Sequence, residues 1–149
     1  MESTIKSKIE NFCAYQERCH QDVINKLNKL GVFGNEVDEY ICYLIDEKFL
    51  SETRFTEAFV RGKFNINNWG KVKIKNELKA KKISEWNITN ALNQVDDHEY
   101  SQKLMSLCKR EIDKEHKIDN KSKEKIIRRL SYKGWEIDKV IEFFNQLTK

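Results

Sequence analysis

Proline is absent from this 149-residue chain, and glycine occurs only five times. Strands need tight turns made largely by those two residues, so a sheet protein is excluded, and helices ended by glycine, asparagine and serine are expected. Long apolar runs are lacking as well. No window approaches the roughly 20 apolar residues of a membrane span, and the opening MESTIKSKIENF has no apolar core of signal-peptide length. A cytoplasmic protein without membrane contact is expected. Cys13, Cys19, Cys42 and Cys108 form no CxxC pair and fall at helical, mostly apolar positions. In a reducing compartment they read as small buried hydrophobes.

The groups that catalysis needs are equally sparse. His20, His98 and His116 are far apart and none has HExxH-like ligand spacing. Gly62 and Gly70 lack both the GKS/T ending and the preceding strand of a phosphate loop. Asp96, Asp97, His98 and Glu99 form the densest acidic cluster, but its place at a helix start favours capping and dipole duty over metal binding. No nucleophile has a plausible base. The chain is expected to be no enzyme, with no cofactor and no metal.

Charge, by contrast, is abundant and unevenly placed. The chain is 35% charged with a formal net charge of +4. Arg61 to Lys82 holds eight cations and one acid, a balance of +7, whereas Gly34 to Val60 holds seven acids and two cations, a balance of −5. Such polarity suits a protein that meets differently charged surfaces, with a polyanion among the partners.

The chain also repeats itself. VINKLNKLGVFGNEVDEYICYL from Val23, KIKNELKAKKISEWNITNAL from Lys73 and KIIRRLSYKGWEIDKVIEFFNQL from Lys125 align, at offsets of 51 and 52 residues. Val23, Ile74 and Ile126 correspond, as do Leu27, Leu78 and Leu130, then Val37, Ile88 and Val140, then Ile41, Leu92 and Phe144. In each copy apolar residues fall four apart, a polar turn follows (Leu30-Gly31, Lys81-Lys82, Lys133-Gly134), and a second run of the same spacing begins. This pattern predicts a helix, a tight turn and a second helix, with the glycines as left-handed C-terminal caps. A further helical segment precedes each pair, over roughly Thr4–Arg18, Ser51–Asn65 and Asp97–Lys114, with Ser84 and Asp97 as N-caps. The fold class expected is all-α: three tandem three-helix repeats, about 1–46, 47–96 and 97–149, in a single repeat domain. Units this short must stack on neighbours, which predicts an elongated, curved rod and a monomer.

Taking 100° per residue, Lys121, Lys125, Arg128 and Arg129 share about a third of one helix circumference, opposite Ile126, Ile127 and Leu130. Lys71, Lys75, Lys79 and Lys82 form a similar stripe in the middle copy, and Arg61 and Lys63 precede it. Solvated helix faces have this look too, but equivalent stripes on two corresponding helices favour a binding surface. Trp69 and Trp135 are either stacking platforms for bases or plugs in turns, and plugs are the commoner use. Trp86, three residues after Ile83, is expected to staple its turn. Phe55, Phe59 and Phe143 read as packing.

LIDEKFLSETRFTEAFVRGKF, Leu44 to Phe64, resembles the central block of the RecX family, regulators of the bacterial recombinase RecA. The likeness continues through Trp69-Gly70, Lys73-Ile74-Lys75 and Glu77-Leu78, and covers nearly the whole chain. It implies three tandem three-helix repeats. It also implies a non-enzymatic protein of homologous recombination, DNA repair and the SOS response that docks along RecA filaments on single-stranded DNA. There it modulates ATP hydrolysis, strand exchange and filament growth, with inhibition as the expected sign. The signature positions carried over are Arg54, Phe55, Phe59, Val60, Arg61, Trp69, Lys73, Ile74 and Leu78, most of them structural. Two departures stand out. Asn65-Ile66-Asn67-Asn68 replaces a basic loop, and Lys82 stands where glycine is usual, a change without cost provided the turn is not left-handed. The alternative reading is a stand-alone helical nucleic-acid-binding module using the same lysine-rich faces.

Overall fold

The computed structural model describes residues 1–149 and is all-helical. In chain order its elements are α1 (Ser3–Tyr15), α2 (His20–Lys29), α3 (Asn35–Asp46), α4 (Glu52–Asn65), α5 (Lys71–Ala80), α6 (Glu85–Asn93), α7 (Asp97–Asp113), α8 (Asn120–Tyr132) and α9 (Ile137–Leu147). These form three successive trios.

The sequence repeat is a structural one, and the backbone shows why. Of the twelve aligned apolar positions, eleven are buried and Ile41 is half-buried. The turn after the second helix of each trio closes in the same way three times. Val32 N donates to Leu27 O (2.9 Å), Ile83 N to Leu78 O (3.1 Å) and Trp135 N to Leu130 O (3.1 Å). The residue just before each donor is left-handed: Gly31 at φ +87°, Lys82 at +63° and Gly134 at +99°. The middle turn is therefore left-handed despite its lysine, and Lys82 carries a backbone cost of about 1–2 kcal/mol that glycine would avoid. One N-cap also differs from expectation. Asp96, not Asp97, precedes α7, and its side chain accepts from Glu99 N at 3.0 Å. Ser84 does cap α6, accepting from Asn87 N at 3.2 Å.

Two packing units emerge, each with its own core. The first comprises Met1–Phe59 and Leu78–Ile88. Ile9, Cys13, Val23, Leu27, Val32, Val37, Tyr40, Leu44 and Leu50 form its interior under α1, α2 and α3. Arg54 ties the start of α4 to this trio: Nε donates to Glu17 Oε2 at 2.8 Å and Nη2 to Lys48 O at 3.0 Å. Lys48 itself is left-handed at φ +64°, so the signature arginine holds a strained helix end. That charge-assisted bond to Glu17 raises the Arg54 pKa further.

The second unit comprises Val60–Glu77 and Thr89–Lys149. Tyr100, Leu104, Leu107 and Cys108 of α7 face Ile126 and Leu130 of α8 and Val140 and Phe144 of α9, all buried. Cys42 departs from the expected burial of the cysteines: it is exposed, while Cys13, Cys19 and Cys108 are buried and all four are free. Trp86 is no staple either, since its side chain is 68% exposed.

Candidate functional site

The asparagine loop before α5 is where the second unit is joined most closely. Asn68 adopts φ +59°, a conformation asparagine tolerates better than most residues. Trp135 Nε1 donates to its carbonyl at 3.0 Å. Gly70 N donates to Lys133 O at 2.9 Å and Val72 N to Gly134 O at 3.0 Å. The two backbones approach so closely that a Cβ on Gly70 would lie 2.3 Å from Gly134 O. Here only glycine fits. Trp135 is thus a plug, buried with its one polar atom satisfied.

Beneath this seam lies an aromatic trio. Tyr100 and Trp135 have ring centroids 4.6 Å apart, and Phe64 stacks on Tyr100 at 5.9 Å. The Tyr100 hydroxyl accepts from Lys71 N, a first-turn amide of α5 with no helical partner, at 2.9 Å and donates to Glu136. Burial, reinforced by the Glu136 carboxylate, pushes the Tyr100 phenol far above its ordinary range. Lys103 works at the other end of the loop. Its Nζ donates to Phe64 O and Asn68 Oδ1, both at 2.9 Å, capping the end of α4. Desolvation, with a smaller contribution from Arg110, lowers its pKa. Neither Tyr100 nor Lys103 stands out in the sequence, because their partners lie about 30 to 40 residues away.

This framework positions the cations. Arg61, Lys63, Lys71, Lys75, Lys121, Lys125, Arg128 and Arg129 belong to the second unit, and Lys79 and Lys82 to the first. Lys63, Lys71 and Lys125 are half-buried and the other seven exposed. The α8 stripe divides in two. Lys125 Nζ lies 3.2 Å from Glu115, in the connection after α7, and Arg129 Nη1 3.3 Å from Glu111, in the last turn of α7; both carboxylate side chains are mostly covered. Lys121 and Arg128 have no such partner, so they carry the available charge of that face. Lys79 pairs with Glu85 at 3.5 Å.

Around Trp69 the cations and rings alternate. Lys63 Nζ lies 4.7 Å from the Trp69 ring centroid, and Lys73 Nζ sits 4.5 Å from Trp69 and 4.9 Å from Tyr132. Trp69 is half-buried, and Tyr132 is 79% exposed. Lys73 therefore bridges α5 to the last residue of α8 by cation–π contact. Beside Tyr132 opens a groove of about 390 Å³ lined by Glu111, Arg128, Arg129, Leu130, Tyr132 and Lys133. No three His, Cys, Asp or Glu side chains converge as a metal site would require. The arrangement is suited to holding an anionic surface.

Residues 51–92, which contain α4, α5 and nearly all of α6, match the family model of the RecX second three-helix domain. The regulatory protein RecX of Oceanobacillus iheyensis is 29% identical over 127 residues, covering 85% of this chain and 47% of that protein. The chain thus spans about half the length of that relative. For the regulatory protein RecX of Clostridioides difficile the identity is 26% over 143 residues, covering 95% of this chain and 67% of that protein. The crystal structure of RecX from Lactobacillus salivarius superposes with a TM-score of 0.85 at 25% identity, over 98% of this chain and 96% of the other. A second crystal structure, of regulatory protein RecX, gives a TM-score of 0.84 at 20% identity over 97% of this chain and 71% of that one, a likeness of fold. With its nine helices in three trios and its middle trio matched to the family's second domain, this chain belongs to the RecX family.

Proposed function

We propose that this chain is a regulator of the RecA recombinase that docks on RecA filaments assembled on single-stranded DNA. It modulates their ATP hydrolysis, strand exchange and extension, with inhibition as the expected sign, and performs no chemistry of its own. Family membership supports the partner. The observation that carries the reading is Lys73, held between Trp69 and Tyr132, which ties α5 to the last residue of α8. On the two helices it ties, the exposed Lys75, Lys121 and Arg128 are left without intramolecular carboxylates. A filament groove bearing acidic protein side chains or phosphate complements such a face.

The test is co-sedimentation with RecA filaments formed on single-stranded DNA with a non-hydrolysable ATP analogue, together with an assay of RecA ATPase. The parent protein is expected to stay on filaments at salt concentrations that strip it from bare DNA. Lys75→Glu/Arg128→Glu should weaken retention at least tenfold while keeping the fold, since exposed substitutions usually shift stability by under about 0.5 kcal/mol each. Retention equal to the parent would remove this surface from the mechanism. Identical salt sensitivity on bare and RecA-coated DNA would favour the stand-alone nucleic-acid module.

A further inference from the structure

The first unit carries a basic surface separate from the stripes of α5 and α8. On α1, Lys8, Asn11, Phe12 and Tyr15 follow at i, i+3, i+4 and i+7, so they share one side of the helix. Leaving α1, the chain turns back at Arg18, whose Nε donates to Phe12 O at 2.9 Å. That bond satisfies a carbonyl the helix leaves open, and it lays the guanidinium 3.7 Å from the Phe12 ring centroid. Lys26 of α2 approaches the same ring, its Nζ at 5.7 Å. Together these six residues line an open groove of about 350 Å³.

Three properties of the groove point to its ligand. First, it holds three cations and no carboxylate, and none of the three is within ion-pairing distance of one. The acids close by in sequence are engaged elsewhere: Glu17 by Arg54, Asp22 by Cys19 N and Lys81, and Glu10 by the Tyr43 hydroxyl. Second, Arg18 is already fixed by its stacking and its one bond, with both terminal nitrogens left to donate, so less side-chain entropy is lost on binding. Third, the Tyr15 ring at the rim is 83% exposed and has no partner of its own. An acidic peptide would use the cations and leave that ring idle. A nucleic-acid single strand uses both, because every base offers a face to stack and every linkage a phosphate.

We propose that this groove is a single-strand nucleic-acid site, with one base stacked on Tyr15 and the flanking phosphates held by Lys8, Arg18 and Lys26. It does not depend on the docking to RecA proposed above, and its test contains no recombinase. Binding of the full chain to a fluorescent oligothymidine, and to a duplex of equal length, is followed by anisotropy across a salt series. Tyr15→Ala should weaken single-strand binding about tenfold and leave duplex binding unchanged, since duplex bases cannot reach the ring. Tyr15→Phe should keep parental affinity. Lys8→Glu/Lys26→Glu should lower the salt slope by about 1.4, or 0.7 for each single-strand phosphate that is no longer neutralised. The ring and Lys8 are exposed and Lys26 is half-buried, and equal melting temperatures across the set are expected. Parental single-strand affinity in either Tyr15→Ala or the double lysine variant overturns the proposal. So does an equal loss by Tyr15→Ala on strand and duplex, or binding of polyglutamate in preference to oligothymidine.

Discussion

Replacing Gly70 by alanine adds one methyl group, and its surroundings are fixed. A Cβ there falls 2.3 Å from Gly134 O, 2.5 Å from Gly134 C and 2.6 Å from Trp135 N, all backbone atoms. Restoring even a 3.0 Å contact to the oxygen requires a retreat of 0.7 Å. A retreat of that size pulls on the bonds from Gly70 N to Lys133 O and from Val72 N to Gly134 O. Each is worth about 0.5–1.5 kcal/mol net, and overpacking a tight contact adds about 1–3 kcal/mol. A destabilisation of about 2–6 kcal/mol follows. At roughly 2–4 °C per kcal/mol for a chain of this size, the melting temperature read by circular dichroism should fall by roughly 4–24 °C. Gly62→Ala is the control. Gly62 lies inside α4 at ordinary helical φ with nothing within 4 Å of its would-be Cβ, so the same added methyl should stabilise by about 0.5–1 kcal/mol. Parental melting in Gly70→Ala, or an equal fall in Gly62→Ala, would refute the close approach of the two backbones.

Lys82→Gly should raise stability by about 1 kcal/mol in urea unfolding, because it relieves a left-handed lysine; a fall would mean that the lysine side chain stabilises the turn. Tyr100→Phe should cost about 1–3 kcal/mol by leaving Lys71 N and Glu136 without their buried partner. The Tyr100 phenol is raised from its ordinary 10.0, so the stabilisation is complete below pH 10 and declines as pH climbs above it. The melting-temperature gap between parent and Tyr100→Phe should accordingly narrow in alkali, and a widening gap would contradict the assignment. Alkylation of the native protein should label Cys42 alone, with all four thiols reacting in denaturant, since burial pushes Cys13 and Cys108 up to about 11 and shields Cys19. Native labelling of any second cysteine would mean local opening of a core.

What could be read without coordinates was whatever recurs locally. The twelve aligned apolar positions sit on helical periods of three and four, so Val23, Ile74 and Ile126 declared a common buried face at a distance of 51 and 52 residues. Turn chemistry was legible at Gly31 and Gly134 because left-handed geometry selects glycine, and illegible at Lys82, where an exposed lysine adopts the same left-handed backbone. The cation stripes were visible as helix faces, but their availability was not. Lys125 and Arg129 are claimed by Glu115 and Glu111 across the α7–α8 connection, and no periodicity encodes that pairing. Trp86 misled because spacing from Ile83 marks a neighbour on the helix turn without saying whether the core reaches it. The groove at Phe12 escaped notice for a related reason: two of its cations, Arg18 and Lys26, lie beyond the helix that presents its rings.

The seam between Gly70 and Gly134 also sets an order of events as the chain is made. Gly70 and the first turn of α5 have their amides bonded to Lys133 O, Gly134 O and the Tyr100 hydroxyl, groups synthesised about 30 to 60 residues later. A ribosome elongating at about 5–20 residues per second therefore exposes Lys71 and Val72 for seconds before their acceptors exist. Early α5 can be nucleated only from its other end, where Leu78 and the turn at Lys82 need no later sequence. The second unit closes last, in one long-range step, and such non-local closure slows folding. Amides at the start of α5 should gain exchange protection only together with those of α8 and α9.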